Sequence, residues 1–164
     1  MIDIRPARSN DIPAIMAIAE ATWEPTYRDF IDPEQIAFMY AEIYNPMTLR
    51  RQMEELGHTF LLLYYEGKPV AFASFSPRPE EPTTFKLHKI YLLPGLQGKG
   101  LGKALIAEVS RRVRLAGGTL LDLNVNRYNP ARYFYERCGF RIIREEDIPI
   151  GPYWMNDYVM RLPI

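Results

Sequence analysis

The feature that most constrains this chain is the segment LQGKGLGKAL, residues 96–105, in which three glycines and two lysines follow an apolar run. Apolar residues then recur at helical spacing, so the segment joins a strand to a long amphipathic helix. In such a loop, successive backbone N–H groups can point into one concavity, and the helix dipole adds about half a positive charge there. The loop therefore predicts a site for a phosphate compound. The alternative is a turn that only packs the helix against the strand.

Two common phosphate-binding patterns do not fit these residues. A P-loop requires Ser or Thr after its Gly-Lys pair, where this chain has Ala104, and a glycine at the position of Gln97. A dinucleotide fingerprint counted from Gly98 requires a third glycine where Lys103 stands. The pattern that remains is Q-x-x-G-x-G over residues 97–102.

The rest of the chain predicts one mixed α/β (α+β) domain over residues 1–164, with the element order β-αα-βββ-α-β-α-ββ. Ser9 is predicted to cap the first helix, and Asn129 to cap a short helix with Pro130 in its first position. A Glu66-Gly67 turn predicts a hairpin. Strands are expected over 2–7, 58–65, 68–77, 83–93, 119–125, 140–150 and 153–164, and helical segments over 8–23, 32–44, 46–57, 98–118 and 129–139.

Composition narrows the class of partner. The 164 residues have a formal net charge of zero, which argues against a nucleic-acid partner. No apolar run approaches the roughly 18 residues that span a bilayer, so no membrane partner is expected. The N-terminus lacks the pattern of a signal peptide, and the single cysteine, Cys138, fits a reducing compartment. The chain is therefore predicted to be cytoplasmic. No group of His, Cys and acidic residues has metal-ligand spacing.

Two motifs together resemble those of the GCN5-related N-acetyltransferases (GNAT), enzymes that transfer acetyl from acetyl-CoA to an amine. The Q-x-x-G-x-G loop after LHKIYLLP resembles the family's acetyl-CoA motif, and NPARYFYERCGF, residues 129–140, resembles its second motif. One departure is that Asn129 lies six residues before Tyr135, where many members have seven. The resemblance implies a central, twisted, mixed and mostly antiparallel sheet of about seven strands with helices on both faces. The order of elements agrees with it along essentially the whole chain.

The resemblance also implies which residues hold acetyl-CoA and which act in catalysis. The backbone of the strand HKIYLL would contact the pantetheine arm and the acetyl carbonyl, and Tyr135 falls on the position of the general acid. The nearby Tyr128 and Tyr133 compete for that role, and core packing is the alternative for each tyrosine. The implied cofactor-binding residues are Ile90, Tyr91, Leu92, Gln97, Gly98, Lys99, Gly100, Leu101, Gly102, Lys103, Asn129 and Tyr135.

A protonated amine must lose a proton before it can attack a thioester, and His88 is the best candidate for that base. Strand alternation predicts that His88 shares a face with Lys86 and Ile90. Two alternatives remain: a chain of water molecules that takes the proton, or a histidine with a structural role. The other histidine, His58, is expected to be structural.

Charge suggests the kind of acceptor. Residues 20–42 hold six acids and one base, so they could attract a cationic amine, with Trp23, Glu24 and Tyr27 as candidate contacts. Tyr153, Trp154 and Asp157 lie near the bend at residues 149–152, which holds two prolines and a glycine, and could close the acceptor pocket or form a subunit contact. The alternative for the acidic segment is a solvated helix face. ATWEPTYRDFIDPEQIAFMY and IGPYWMNDYVM also resemble, more loosely, the branch with bacterial spermidine/spermine acetyltransferases.

The predicted function is acetyl-CoA-dependent N-acetylation of a primary amine of a small molecule, by direct attack on the thioester, with no metal. Polyamines are the first expectation for the acceptor, followed by the amines of amino sugars or amino acids. The alternatives are a non-catalytic CoA-binding sensor or regulatory domain, and an enzyme that acetylates a peptide or protein. A homodimer is possible, because dimers are frequent in the family.

Overall fold

The computed structural model describes residues 1–164 and confirms the predicted fold class. In the crossover between the first two strands, however, there are three helices rather than the pair written in the predicted order. The strands are β1 (Ile2–Pro6), β2 (Thr59–Tyr65), β3 (Lys68–Pro77), β4 (Thr84–Leu92), β5 (Leu120–Asn126), β6 (Arg141–Ile150) and β7 (Tyr153–Pro163). The helices are α1 (Ile12–Tyr27), α2 (Pro33–Ile43), α3 (Pro46–Glu54), α4 (Leu101–Leu115) and α5 (Ala131–Arg137).

All seven strands form one sheet in the order β1-β2-β3-β4-β5-β7-β6. Only β4 and β5 are parallel, and every other neighbouring pair is antiparallel. The parallel pair follows from the chain order, because α4 carries the chain back across one face before β5 begins. The sheet is therefore mixed and mostly antiparallel, as predicted.

The parallel pair β4–β5 is short, and this opens the sheet at its centre. Thr84–Leu87 pair with Leu120–Leu123, and beyond these residues neither strand is paired with the other. On its other edge β4 stays paired with β3 as far as Leu92. The backbone edge of β4 after Leu87 therefore has no strand partner on the side that faces β5.

A bulge in β4 corrects the predicted alternation of His88 and Ile90. The β3–β4 register shifts so that Ser74 lies opposite Lys89 and Phe75 opposite Leu87, which leaves His88 as the extra residue. As a result Ile90 packs against the same core as Leu87, and Tyr91 packs against the core on the other face of the sheet. Lys86 and His88 therefore do not share a face with Ile90.

Two hydrophobic cores lie on opposite faces of the sheet. On one face α1, α2 and α3 pack against alternate strand residues such as Phe60, Leu62 and Phe72. On the other face α4 packs against the intervening residues, such as Leu61 and Leu63. α5 packs against the second core through partly buried aromatic residues. The period-2 pattern of the central strands thus builds both cores from the same strands.

Local signals in the sequence account for two of the connections, and a third such prediction is wrong. The two-residue turn Glu66-Gly67 joins β2 to β3 with φ values of 51° and 79°, as a tight hairpin requires. Asn129 Oδ1 accepts from the N–H of Ala131 at 2.9 Å and so caps α5, although the helix begins one residue later than predicted. Ser9 lies in a 3₁₀ turn, and its predicted cap is wrong: the Asp11 carboxylate instead accepts from the Arg8 N–H at 2.8 Å.

None of the helices has the length and apolar character needed to cross a membrane.

Candidate active site

The divergence of β4 and β5 opens a cleft of about 1470 Å³. Its walls come from β4, β5, β7, the end of α1, the start of α4 and α5. Most of the predicted site residues line it: Trp23, Tyr27, His88, Ile90, Tyr91, Leu92, Gln97, Gly98, Gly100, Leu101, Gly102, Lys103, Asn129 and Tyr135. Residues that lie more than 100 positions apart in sequence are thus brought to one opening.

At one end of the cleft, the N-terminus of α4 presents a row of unsatisfied backbone donors. None of the N–H groups of residues 98–103 donates to an acceptor within the protein. Gly100 occupies the cap position with a φ of 75°, a conformation that favours glycine. Lys103 and Arg137 contribute cationic side chains to the same wall. Free amides, a helix dipole and two cations together form a site for an anion.

Two residues of the predicted motif also have structural contacts. A Cβ built at Gly102 would lie 3.1 Å from Phe134 Cζ, so the absence of a side chain lets α4 approach α5 closely. Gln97 Oε1 accepts from the N–H of Gly95 at 3.0 Å and so fixes the turn that precedes the glycines. The packing contact and the unsatisfied N–H groups therefore belong to the same loop, so the two alternatives stated from sequence do not exclude each other.

At the centre of the cleft, β4 offers an unpaired backbone edge through the predicted residues Ile90, Tyr91 and Leu92. The hydroxyls of Tyr27 and Tyr91 lie 3.0 Å apart. Burial raises the pKa of Tyr27 to about 12 and raises the pKa of Tyr91 well above its usual value. Both phenols therefore stay protonated at neutral pH.

Tyr135 reaches the cleft from α5. Its ring packs edge-on against Phe134 and Phe140, with ring centres 5.5 and 5.9 Å away. Burial raises the pKa of Tyr135, and the nearby Tyr27 hydroxyl adds to this effect. A phenol held in its protonated form can donate a proton but cannot accept one. The competing Tyr133 lies on the surface with 51% of its area exposed.

His88 lines the cleft, but its surroundings do not suit a base. Its Nε2 lies 2.7 Å from Ser76 Oγ, and its ring stacks on His58 at 4.1 Å with an interplanar angle of 2°. Burial, together with the nearby His58, Lys86 and Lys89, lowers the pKa of His88 to about 3. A group with so low a proton affinity is a poor acceptor for the proton of an ammonium ion. The geometry favours the structural alternative.

Four predicted residues lie outside the cleft lining. Glu24 pairs with Arg28 at 2.7 Å on the solvent side of α1, because it lies one residue beyond the buried Trp23. Lys99 extends toward the ring of Tyr65, 6.0 Å from its centre.

Tyr153 and Trp154 lie at the start of β7, next to α2. The Tyr153 ring is 5.5 Å from that of Phe38, and the Trp154 carbonyl accepts from Gln35 Nε2 at 2.8 Å. The next residue, Met155, lines the cleft in their place.

The acidic segment of residues 20–42 contributes side chains such as Trp23 and Tyr27 to the wall of the cleft, but almost none of its acids. Of its six acids only Asp29 lines the cleft, and all six side chains are exposed to solvent. The acids are therefore solvated, which agrees with the alternative stated from sequence.

Sequence reasoning missed several polar residues in the walls. Lys86 and Lys89 project from β4, Gln52 from α3, and Asn124 and Asn126 from β5. Asp157, which the sequence did suggest as a residue that could close the acceptor pocket, lines the cleft from β7 and is 5% exposed. The available signal was a charged residue within an apolar strand, as in LHKIYLL and MNDYVM. A charged residue in a strand does not show which face of the sheet it occupies or which residues it contacts, so the tertiary structure was needed.

Comparisons with known proteins agree with this architecture. Residues 15–140 match the model of the acetyltransferase (GNAT) family. An uncharacterized N-acetyltransferase of Mycobacterium tuberculosis (strain ATCC 25618 / H37Rv) is 27% identical over 92% of this chain and 96% of its own length. The spermidine N(1)-acetyltransferase of Thermoplasma acidophilum is 25% identical over 86% of this chain and 89% of its own length. The crystal structure of a PaiA N-acetyltransferase from Thermoplasma acidophilum, a complex with coenzyme A, superposes with a TM-score of 0.83 at 24% identity, covering 100% of this chain and 99% of that one.

Proposed function

This chain belongs to the acetyltransferase (GNAT) family, and on that premise we propose that it transfers acetyl from acetyl-CoA to a primary amine of a small molecule. The observation that carries the proposal is the row of unsatisfied N–H groups at residues 98–103, which opens into the same cleft as Tyr135. One end of the cleft suits the phosphates of a nucleotide thioester, and the other can admit an acceptor.

The residues present fit the phosphate groups of CoA. The amides of residues 98–103 would donate to the pyrophosphate oxygens, and the dipole of the 15-residue helix α4 favours negative charge at its N-terminus. Lys103 and Arg137 line the same wall and supply full positive charges. Lys99 stays a predicted contact, although its side chain lies outside the cleft lining.

The unpaired edge of β4 would hold the pantetheine arm. Backbone groups of Ile90, Tyr91 and Leu92 have no strand partner on that side, so an extended amide-bearing arm can take the place of a strand. A backbone N–H on this edge would also stabilise negative charge that develops on the acetyl oxygen. When bound, the thioester supplies an activated acetyl group with a thiolate as the leaving group.

Tyr135 would act as the general acid. The neutral amine would form a C–N bond to the acetyl carbon as the C–S bond breaks, and the phenolic proton of Tyr135 would pass to the sulfur. The amide nitrogen would then lose its extra proton, which restores the phenol. Burial keeps this phenol protonated until the thiolate forms. Asn129 caps α5 and thereby fixes the helix that carries Tyr135.

The acceptor arrives as an ammonium ion and must lose a proton. His88 was the predicted base, but its bond to Ser76 and its lowered pKa favour the alternative route through ordered water. Polar groups for such a route line the cleft, among them the side chains of Asn124 and Asn126. We therefore keep His88 as a wall residue whose role is tested below.

For the acceptor, we propose a small molecule rather than a protein segment, because the acceptor end is a walled cleft. The acids of residues 20–42 no longer support a polyamine acceptor, since five of these six acids lie outside the cleft. What still supports a polyamine is the relationship to the spermidine acetyltransferase of Thermoplasma acidophilum.

The testing experiment is thiol release from acetyl-CoA with a panel of amines that includes spermidine, alongside calorimetric binding of acetyl-CoA. Release that depends on an amine is the expected result and gives the acceptor class. Tight binding without release for any amine or peptide would favour the sensor, and release with peptides alone would favour a protein acetyltransferase. Absence of binding would overturn the role given to the loop.

The homodimer, and the lack of nucleic-acid and membrane partners, stay predictions. Light scattering can check the homodimer, and binding assays can check the partners.

A further inference from the structure

The face of the sheet on which α1 to α3 pack is apolar over β2 and β3 but polar where it lines the cleft. Over β4, β5 and β7 this face carries polar side chains that line the cleft: Lys86, His88 and Lys89 from β4, Asn124 and Asn126 from β5, and Asp157 from β7. The residues of β5 that alternate with the asparagines pack into the opposite core. A polar wall of this kind must be satisfied by water or by a ligand.

Two lysines in this wall lack an anionic partner. No carboxylate lies within 4.0 Å of the ammonium of Lys86 or of Lys89. Lys89 is only 7% exposed, and its Nζ donates to Gln52 Oε1 at 3.0 Å. The rings of Tyr44 and Phe60 lie 5.9 and 5.6 Å from the same nitrogen. A buried cation without an anion is costly, so this wall is complementary to an anionic group.

The neighbouring histidines add no negative charge. His58 and His88 stack on each other, and burial lowers the pKa of both, with a further contribution from the nearby lysines. The carboxylates of Glu146, Asp157 and Asp122 act on Lys86 only from beyond ion-pair distance, and none of them acts on the pKa of Lys89. Arg78, the next cation along, is bound to the buried Asp122 at 3.3 Å.

On the β7 side stands a carboxylate with an unused acceptor. Asp157 is 5% exposed, and its Oδ2 accepts from Asn124 Nδ2 at 3.3 Å. Its Oδ1 has no donor at all. The charges of Asp157 and Lys86 influence each other's pKa without forming an ion pair, so the two groups face one region from different strands. Such a carboxylate can accept from an ammonium.

We propose that the acceptor carries a carboxylate as well as its amine, as an amino acid does. Lys86 and Lys89 bind the carboxylate, and Asp157 binds the ammonium group before it is deprotonated. The apolar residues Ile148, Ile150 and Met155 line the cleft beside Asp157 and would contact an apolar side chain of the acceptor. A polyamine would instead place a second ammonium beside two lysines. This inference rests on the proposed acetyl transfer.

The test is acetyl-CoA thiol release with matched acceptors: the common amino acids, their carboxamides, 3-methylbutylamine and spermidine. With the wild-type protein we expect kcat/KM for the preferred amino acid to exceed that for its carboxamide by about tenfold or more. That is the effect of one lost charge-assisted contact. Equal or faster turnover of the carboxamide, the simple amine or spermidine overturns the inference while leaving acetyl transfer intact.

Variants test whether the two lysines cause the preference for an acceptor with a carboxylate. Lys86→Gln and Lys89→Met should raise KM for the amino acid about tenfold, with little change for 3-methylbutylamine, whereas the exposed Lys68→Gln should change neither. Lys89→Met removes the charge but keeps an unbranched apolar side chain in the buried position, and Lys86→Gln gives a second, less buried probe. If both variants keep the preference, these lysines do not bind the carboxylate. If no acceptor releases thiol although acetyl-CoA binds, the proposed function itself fails.

Discussion

At the scale of single residues, the chemical role of a side chain depends on its immediate neighbours. His88 has the residue type of a base, yet burial, a stacked histidine and two lysines lower its pKa to about 3. Burial keeps the phenol of Tyr135 protonated at neutral pH, so its proton is present when a thiolate forms. Residue type suggested both roles; the surroundings are compatible with that of Tyr135 and oppose that of His88.

The role of Tyr135 can be tested by removing one oxygen atom. We expect Tyr135→Phe to lower kcat well over tenfold with little change in the Kd of acetyl-CoA, because the ring packing stays and only the proton donor is lost. Steady-state thiol release and calorimetry measure the two quantities. Tyr133→Phe on the exposed face of the same helix is the control and should keep kcat. An unchanged kcat in Tyr135→Phe removes this residue from the mechanism.

His88 gives a prediction for stability against pH. Its folded pKa of about 3 lies below the ordinary value of 6.5, so the unfolded chain takes up the proton first as the pH falls. The stability that this neutral histidine contributes is complete above pH 6.5 and is lost progressively below it. Between pH 7 and pH 5 the loss is about 2 kcal/mol. We expect His88→Gln to flatten this part of the urea-unfolding profile.

The same variant tests the catalytic role of His88. If it is not the base, the acidic limb of kcat/KM against pH should be unchanged in His88→Gln. A limb that moves or disappears would restore His88 as the base. An unfolding profile as steep as that of the wild type would show that the histidine is not held neutral by burial.

At the scale of elements, the site is made where regular structure stops. The bulge at His88 turns Lys89 and Tyr91 toward one face, and the early end of the β4–β5 pairing leaves the backbone edge of β4 open. The start of α4 adds amides that no residue of the chain satisfies. Hydrogen-bonding groups that the regular elements leave unpaired are thus collected at one cleft.

The loop before α4 can be tested with one added methyl group. Gly100 has a φ of 75°, so Gly100→Ala strains the backbone by about 1 kcal/mol or more and redirects the neighbouring amides. We expect the Kd of acetyl-CoA to rise at least tenfold, measured by calorimetry. Gly57→Ala, at a φ of 71° beyond α3 and away from the cleft, is matched in strain. It should lose similar stability and keep the affinity. Equal affinities in the two variants would contradict an anion site at Gly100.

At the scale of the whole molecule, one sheet serves two cores. Neighbouring residues of β2 alternate between them, with Leu61 and Leu63 on one side and Phe60 and Leu62 on the other. Because the strands are shared, unfolding of one core would expose the other core to solvent. We therefore propose that residues 1–164 form a single cooperative domain, as the sequence predicted.

Cooperativity can be measured by deleting side chains from either core. Leu49 of α3 and Leu105 of α4 are fully buried on opposite faces. Leu49→Ala and Leu105→Ala should each lower the free energy of unfolding by about 2–5 kcal/mol and shift the same single transition. Calorimetry and urea denaturation check this. A second transition in either variant would indicate two independently folding units, and an exposed substitution such as Lys68→Gln should shift nothing.

The sequence by itself determined what depends on neighbouring residues in the chain. Apolar periodicity gave the order and approximate limits of the strands and helices, and Glu66-Gly67 gave the hairpin. The spacing of glycines over residues 97–102 gave the loop. These predictions held because a turn, a cap and an amphipathic face each need only a few adjacent residues. The capping of the first helix failed where two neighbouring polar residues, Ser9 and Asp11, were both able to cap it.

The tertiary structure alone decided what depends on residues far apart in sequence. A bulge is a mismatch between two strands, so the alternation of β4 could not reveal that His88 and Ile90 face opposite sides. Charge counts along the chain placed acids near the acceptor, whereas folding turned them to solvent and buried Lys89 and Asp157 in the wall. Burial and electrostatic environment are set by contacts between β4, β5, β7 and the helices, and no local pattern encodes them.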